Sequence, residues 1–220
     1  MRAPAYLKPA TTLAERVLLP DDPHRALAIA QAVLEGPLMF NHHFGLWGYT
    51  GTAADGAPLT VQSSGIGGAS AAIVVGELVG LGARRFVRIG RCHALVDTVS
   101  EGDDLAVVDA LDQTCARTPA DVALNDNLLR AGIGKRATVV STDRFYETRG
   151  DVIDGWRAAG AHAVDLESEA VLRAAGPGAA ACLLRIAGRF PIDGDRPRLS
   201  AEETDEIALA QARIALVALA

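Results

Sequence analysis

Short apolar runs of strand length alternate with helix-length stretches along nearly the whole chain, and this alternation limits the fold more than any other feature. Residues 17–19, 46–52, 59–62, 86–90, 105–109, 137–141, 163–166 and 179–187 read as strands, with 46–52 and 59–62 paired as a hairpin across Ala54-Asp55-Gly56. Residues 23–34, 70–81, 119–131, 152–159, 168–175 and 201–219 read as helices. Two start signals recur: Asp22 before Pro23, and Thr118 before Pro119, each a capping residue followed by proline at the first helical position. Strands that alternate with helices feed a largely parallel sheet covered on both faces. The hairpin adds antiparallel pairing. The expectation is a single α/β domain over residues 1–220, a three-layer α/β/α sandwich around a central mixed sheet.

Composition agrees and excludes several functions. Half of the residues are hydrophobic and the mean hydropathy is +0.19, as a sheet buried on both faces requires. A net charge of −6 with a pI near 5.3, and few aromatic side chains, argue against a nucleic-acid surface. No apolar run reaches the ~20 residues a membrane span needs. The N-terminal thirteen residues carry no signal-peptide core, and Cys92, Cys115 and Cys182 fit neither a disulfide framework nor a metal site. A cytoplasmic protein without metal is expected.

Five segments carry candidate chemistry. The segment 86–94, Phe-Val-Arg-Ile-Gly-Arg-Cys-His-Ala, is an apolar run that breaks at Gly90 among Arg88, Arg91 and His93. Ligands in open parallel sheets bind beyond the carboxyl ends of strands, so these residues are candidates for holding an anion. Asp21-Asp22-Pro23-His24-Arg25 opens a helix beside an arginine, which reads on its own as a plain capped helix and otherwise as an anion site. Ser63-Ser64-Gly65-Ile66-Gly67-Gly68 is a glycine turn between strand and helix, without dinucleotide-fingerprint spacing. Ser141-Thr142-Asp143-Arg144-Phe145-Tyr146 places Phe145 at a strand end, where it offers a flat face to a heterocycle or packs in the core. Val164-Asp165-Leu166-Glu167-Ser168-Glu169 enters a helix through three acids, which either complement the helix dipole, Glu169 better than Glu167, or include one that accepts both hydroxyls of a sugar diol. Arg185 interrupts an apolar strand and needs a carboxylate partner, with Asp165 and Glu167 as candidates. The polar Pro191–Pro197 loop reads as a connector or a lid.

In this order, the five segments resemble the nucleoside phosphorylase family that includes hexameric purine nucleoside phosphorylase and uridine phosphorylase. Asp22-Pro23-His24-Arg25 matches the Asp-Pro-x-Arg of its Gly-Asp-Pro-x-Arg pattern. Val164-Asp165-Leu166-Glu167 is similar to its Val-Glu-Met-Glu, and Gly48-Tyr49-Thr50-Gly51 to its Gly-Phe/Tyr-Thr-Gly. The resemblance implies phosphorolysis of an N-glycosidic bond to free base and ribose 1-phosphate, with inorganic phosphate as co-substrate and no cofactor. It implies phosphate binding by Arg25 and Arg88, with Arg91 as an added candidate. It further implies ribose binding by Glu167, Leu166 and Ile66, and a base site near Phe145, Cys92 and His93. Arg88 and Glu167 are the expected catalytic pair. A homodimer or homohexamer with shared active sites is implied too.

The departures keep alternatives open. Asp21 stands where the family has a phosphate-binding glycine, Arg91 where it has a hydroxyl residue, and Phe44 where a neighbouring subunit supplies an arginine. Ala5 lies near the place of a histidine that reaches a neighbouring site, with Tyr6 beside it. Arg91 either replaces the charge lost at Phe44 or pairs with Asp21. Ile186-Ala187-Gly188 lacks the acid with which purine-cleaving members protonate their base. This gap points to a uridine-like pyrimidine, with Arg149 as a candidate for a uracil carbonyl. A nucleosidase that uses water and a non-catalytic nucleoside-binding protein are the competing readings.

Overall fold

A computed structural model describes residues 4–176, 178–192 and 199–220. Its elements follow in chain order: β1 (Arg16–Leu19), α1 (Pro23–Val33), β2 (Leu34–Asn41), β3 (Gly48–Ala53), β4 (Pro58–Gln62), α2 (Gly68–Leu81), β5 (Arg85–Ala94) and β6 (Asp104–Leu111). Then come β7 (Arg117–Pro119), α3 (Val122–Arg130), β8 (Lys135–Ser141), α4 (Gly150–Ala158), β9 (Ala163–Asp165), α5 (Ser168–Ala175), β10 (Ala179–Arg189) and α6 (Ala201–Leu219).

The strands form one ten-stranded mixed sheet. β1 lies parallel between β4 and β5, and β2–β3–β4 extend that edge as an antiparallel meander. On the other side β5 pairs β10, which pairs β6, then β8, then β9. β9 returns to β5 at His93 and Ala94, so five strands close into a ring. Side chains alternate between faces with the period of two that a strand imposes. Val17, Leu19, Phe86 and Cys182 join the core under α2 and α5, whereas Leu18, Val87, Ile89 and Leu183 join the core under α1, α3 and α6. Helices on both faces give the three layers expected from the alternation. A smaller cluster with Trp156, Ile153 and Phe190 seats α4 at the end of the ring.

Four departures from the sequence reading have identifiable physical causes. β5 does not stop at Gly90; it continues to Ala94 because Arg91 and Cys92 pair with Arg185 and Ile186 of β10, and His93 with Val164 of β9. Arg91 and His93 therefore lie within a strand rather than beyond its end. β2 was not legible, because Leu-Glu-Gly-Pro-Leu-Met-Phe-Asn holds a glycine and a proline, residues that a strand tolerates at a sheet edge, where β2 lies. Thr118 and Pro119 belong to β7 opposite Asp109 and Ala110, and α3 is capped by Asp121, whose side chain accepts from Leu124 N. Arg185 pairs with Asp104, its direct partner across β10 and β6, and not with Asp165 or Glu167. Beyond Ile192, the loop considered as a lid lies outside the described residues.

Candidate active site

Arg88 is the centre of the site. It is 1% exposed, on the face of β5 under α2 and α5. Closure of the ring brings β9 and the residues after it against that face. There the Arg88 guanidinium meets the carboxylates of Asp165, at 3.3 Å, and Glu167, at hydrogen-bond contact. Gly90 is required beside it: a Cβ at that position would lie 2.9 Å from Arg88 Nη1 and 3.1 Å from Cζ. A glycine read in the sequence as a strand terminator is therefore a space for the guanidinium.

The two acids differ in role. Asp165 is saturated by hydroxyl and backbone donors: Ser141 Oγ, Ser168 Oγ and Ser168 N. These bonds fix it as a structural anchor for Arg88, a partner that sequence reasoning gave to Arg185. Glu167 has fewer ties. Its Oε1 accepts Gly67 N at 2.8 Å and its Oε2 accepts from Arg88. Burial pushes the Glu167 carboxyl above its ordinary value, against the opposing pull of Arg88.

The glycine turn reaches this carboxylate through its backbone. Ser64 N donates to Pro20 O and Gly65 N to Asp21 O, which ties the turn to the end of β1. Gly65 has a φ of +72°, and a Cβ there would lie 2.2 Å from Ser70 Oγ, so only glycine fits. Ile66, next to it, is exposed.

On the other face of β5, Arg91 lines a small cleft with Arg25 from α1 and Thr204 and Gln211 from α6. Surrounding protein and the Arg25 cation push the Arg91 guanidinium below its ordinary value. Asp21, just past the end of β1, pairs with Arg25 and not with Arg91. Leu19, two residues before Asp21, is the register partner of Arg88, so Asp21 stands at the end of the strand beside β5. Among the described residues, Arg25 Nε and Arg88 Nε are buried without a hydrogen-bond acceptor, and Arg88 Nη1 makes no hydrogen bond beyond its 3.3 Å ion pair with Asp165. Unpaired buried donors are costly, and an anion is what would satisfy these.

The candidate base residues divide. His93 and Phe145 meet edge-on with ring centroids 6.1 Å apart, and Phe145 contacts Tyr146 at 4.9 Å. Phe145 is 37% exposed. Cys92 does not join them through its thiol, which is buried in the core and pushed well up by burial. Arg149 is committed elsewhere: its Nε and Nη2 hold both oxygens of Glu147 at 3.0 and 2.6 Å, which keeps the Glu147 carboxyl well below the usual range. Leu166 lines a cavity of about 390 Å³ with Gly68, Thr142 and Asp143. Phe44 is exposed, has a φ of +54° and packs on Tyr6 at 5.0 Å. Among the described residues no cluster of three metal-ligating side chains occurs, and no helix is long and apolar enough to cross a membrane.

A family model described as the phosphorylase superfamily matches residues 15–220. The chain belongs to this family of nucleoside phosphorylases. It is 32% identical over 175 residues to a purine nucleoside phosphorylase of the DeoD type from Geobacillus kaustophilus, covering 72% of this chain and 73% of the relative. DeoD-type purine nucleoside phosphorylases from Clostridium perfringens and Jannaschia are each 32% identical over 175 residues; they cover 72% and 71% of this chain, and 74% and 73% of the relatives. The enzyme class is pentosyltransferase, with phosphate as co-substrate. The sequence resemblance and the family match thus agree.

Proposed function

We propose that the chain cleaves a nucleoside with phosphate, using Arg25, Arg88 and Arg91 to hold the anion and Glu167 to hold the ribose 2′- and 3′-hydroxyls. The observation that carries this reading is the buried Arg88 guanidinium in contact with Glu167, its Nε without an acceptor among the described residues. Arginines beside the sugar offset the charge of the phosphate and position an oxygen below C1′. Glu167 grips the diol while positive charge grows on the sugar. The phosphate oxygen bonds to C1′ as the C1′–N bond breaks, and the base leaves with the electron pair. Leu166 and Ile66 would flank the sugar, and Phe145 with His93 would hold the base.

For the base we favour a uridine-like pyrimidine, because Gly188 follows β10 residue Ala187 where a purine-cleaving site would carry an acid. Arg149, whose Nε and Nη2 hold Glu147, is given no contact with a uracil carbonyl in this reading. A purine substrate is the second reading, supported by the names of the relatives. Base release from uridine, thymidine, inosine and adenosine, each with and without phosphate, decides between them. Release from uridine alone supports the first reading and release from inosine or adenosine the second; release that ignores phosphate refutes phosphorolysis. The reading includes a homo-oligomer with shared sites, for which the exposed Tyr6, Leu38, Met39 and Phe44 supply apolar surface. A monomer by light scattering would refute that part.

A further inference from the structure

An anion cradle built only of arginines accepts any tetrahedral oxyanion of the right size. This one contains a carboxylate. Asp21 Oδ1 accepts from Asp22 N at 2.8 Å and from the Arg25 guanidinium, so that oxygen is occupied. Oδ2 accepts no hydrogen bond among the described residues. Asp21 follows Leu19, the register partner of Arg88, by two residues, and pairs with Arg25, which lines one cleft with Arg91 and whose Nε is a buried donor without an acceptor among the described residues. An anion that satisfies that donor is thereby brought toward a free carboxylate oxygen.

A carboxylate has lone pairs and no proton to donate. An oxyanion without a proton would meet it lone pair to lone pair, with like charges in contact. An oxyanion that keeps an O–H would donate it to Asp21 Oδ2 and turn the repulsion into a charge-assisted hydrogen bond. Phosphate and arsenate keep at least one such proton near neutral pH, and sulfate keeps none.

We propose that Asp21 is a specificity-determining residue that selects a protonated tetrahedral oxyanion, phosphate or arsenate, and rejects sulfate. The inference rests on the reading of Arg25 and Arg88 as the phosphate cradle. The loss at Asp21 of the family's glycine then narrows the choice of co-substrate rather than abolishing its binding. A site organised around one donated hydrogen bond discriminates strongly against an analogue that lacks it.

Calorimetric titration of the whole protein with sodium phosphate and with sodium sulfate tests this, because it reads binding apart from turnover. The wild-type protein is expected to bind sulfate about a hundredfold more weakly than phosphate, or worse. In D21N and D21G the ratio should fall to within about tenfold. Sulfate binding within about threefold of phosphate in the wild-type protein would overturn the proposal. So would a ratio unchanged in both variants, because loss of a general repulsive charge strengthens both anions alike. No binding of either anion would overturn it as well. Selective phosphate binding with base release that ignores phosphate would support the proposal and remove phosphorolysis instead.

Discussion

Replacing Arg88 with methionine should destabilise the protein in a pH-dependent way. Arg88 is fully buried and is the cation shared by Asp165 and Glu167, themselves 4% and 4% exposed. Breaking a buried ion pair by removing one partner costs about 3–5 kcal/mol, because the other charge stays desolvated. Asp165 keeps three donors in the variant, whereas Glu167 keeps only Gly67 N. The penalty therefore falls on Glu167, whose carboxyl burial already pushes upward. A carboxyl with a raised folded pKa contributes stability below its unfolded value, and loses it as pH rises through the folded value. The deficit of R88M should thus shrink on acidification, by up to about 2 kcal/mol between pH 7 and 5.5 at 1.36 kcal/mol per unit. R88M/E167Q should recover part of the loss at pH 7. Urea unfolding at fixed protein concentration measures all three proteins at both pH values. A deficit independent of pH, or a double variant no more stable than R88M, would refute the assignment of strain to Glu167.

Other consequences are local. Gly90→Ala places a methyl 2.9 Å from Arg88 Nη1, in a guanidinium held by two carboxylates, and should cost about 1–3 kcal/mol in urea unfolding and raise the phosphate KM. Asp55, bonded to Arg16, has its carboxyl lowered to about 2, so its contribution is present above the unfolded value and lost as pH falls through about 2. D55N should cost about 1 kcal/mol at pH 7, discounted because the side chain is 37% exposed, and its difference from the wild type should vanish in acid unfolding curves. Burial holds the Cys182 thiol up at about 12 and the Cys92 thiol well up, so an aromatic disulfide reagent should react quickly in the native protein at Cys115 alone and at all three after unfolding.

The layers of this fold were legible because buried strands write continuous apolar runs and helices write caps. Asp22-Pro23 announced α1, and the N-cap Asp22 does accept from Arg25 N. What was not legible depends on pairing between distant segments. Arg91 and His93 gave no local sign of lying within a strand, because β10 and β9 supply their partners. The same ring closure joins Arg88 to Asp165 and Glu167, 77 and 79 positions further along the chain. Arg185 was misassigned for that reason, since its partner Asp104 is set by antiparallel register. Among the residues that sequence reasoning missed, Ser141 and Ser168 had a signal: each lies at the junction of a strand and the segment carrying an acid.

In the proposed reaction phosphate is the nucleophile. Phosphorus NMR of the protein mixed with phosphate and the nucleoside it cleaves measures this directly. With phosphate as nucleophile, a sugar 1-phosphate resonance grows in step with free base. Base release with the phosphate signal unchanged and free ribose as the product would contradict it.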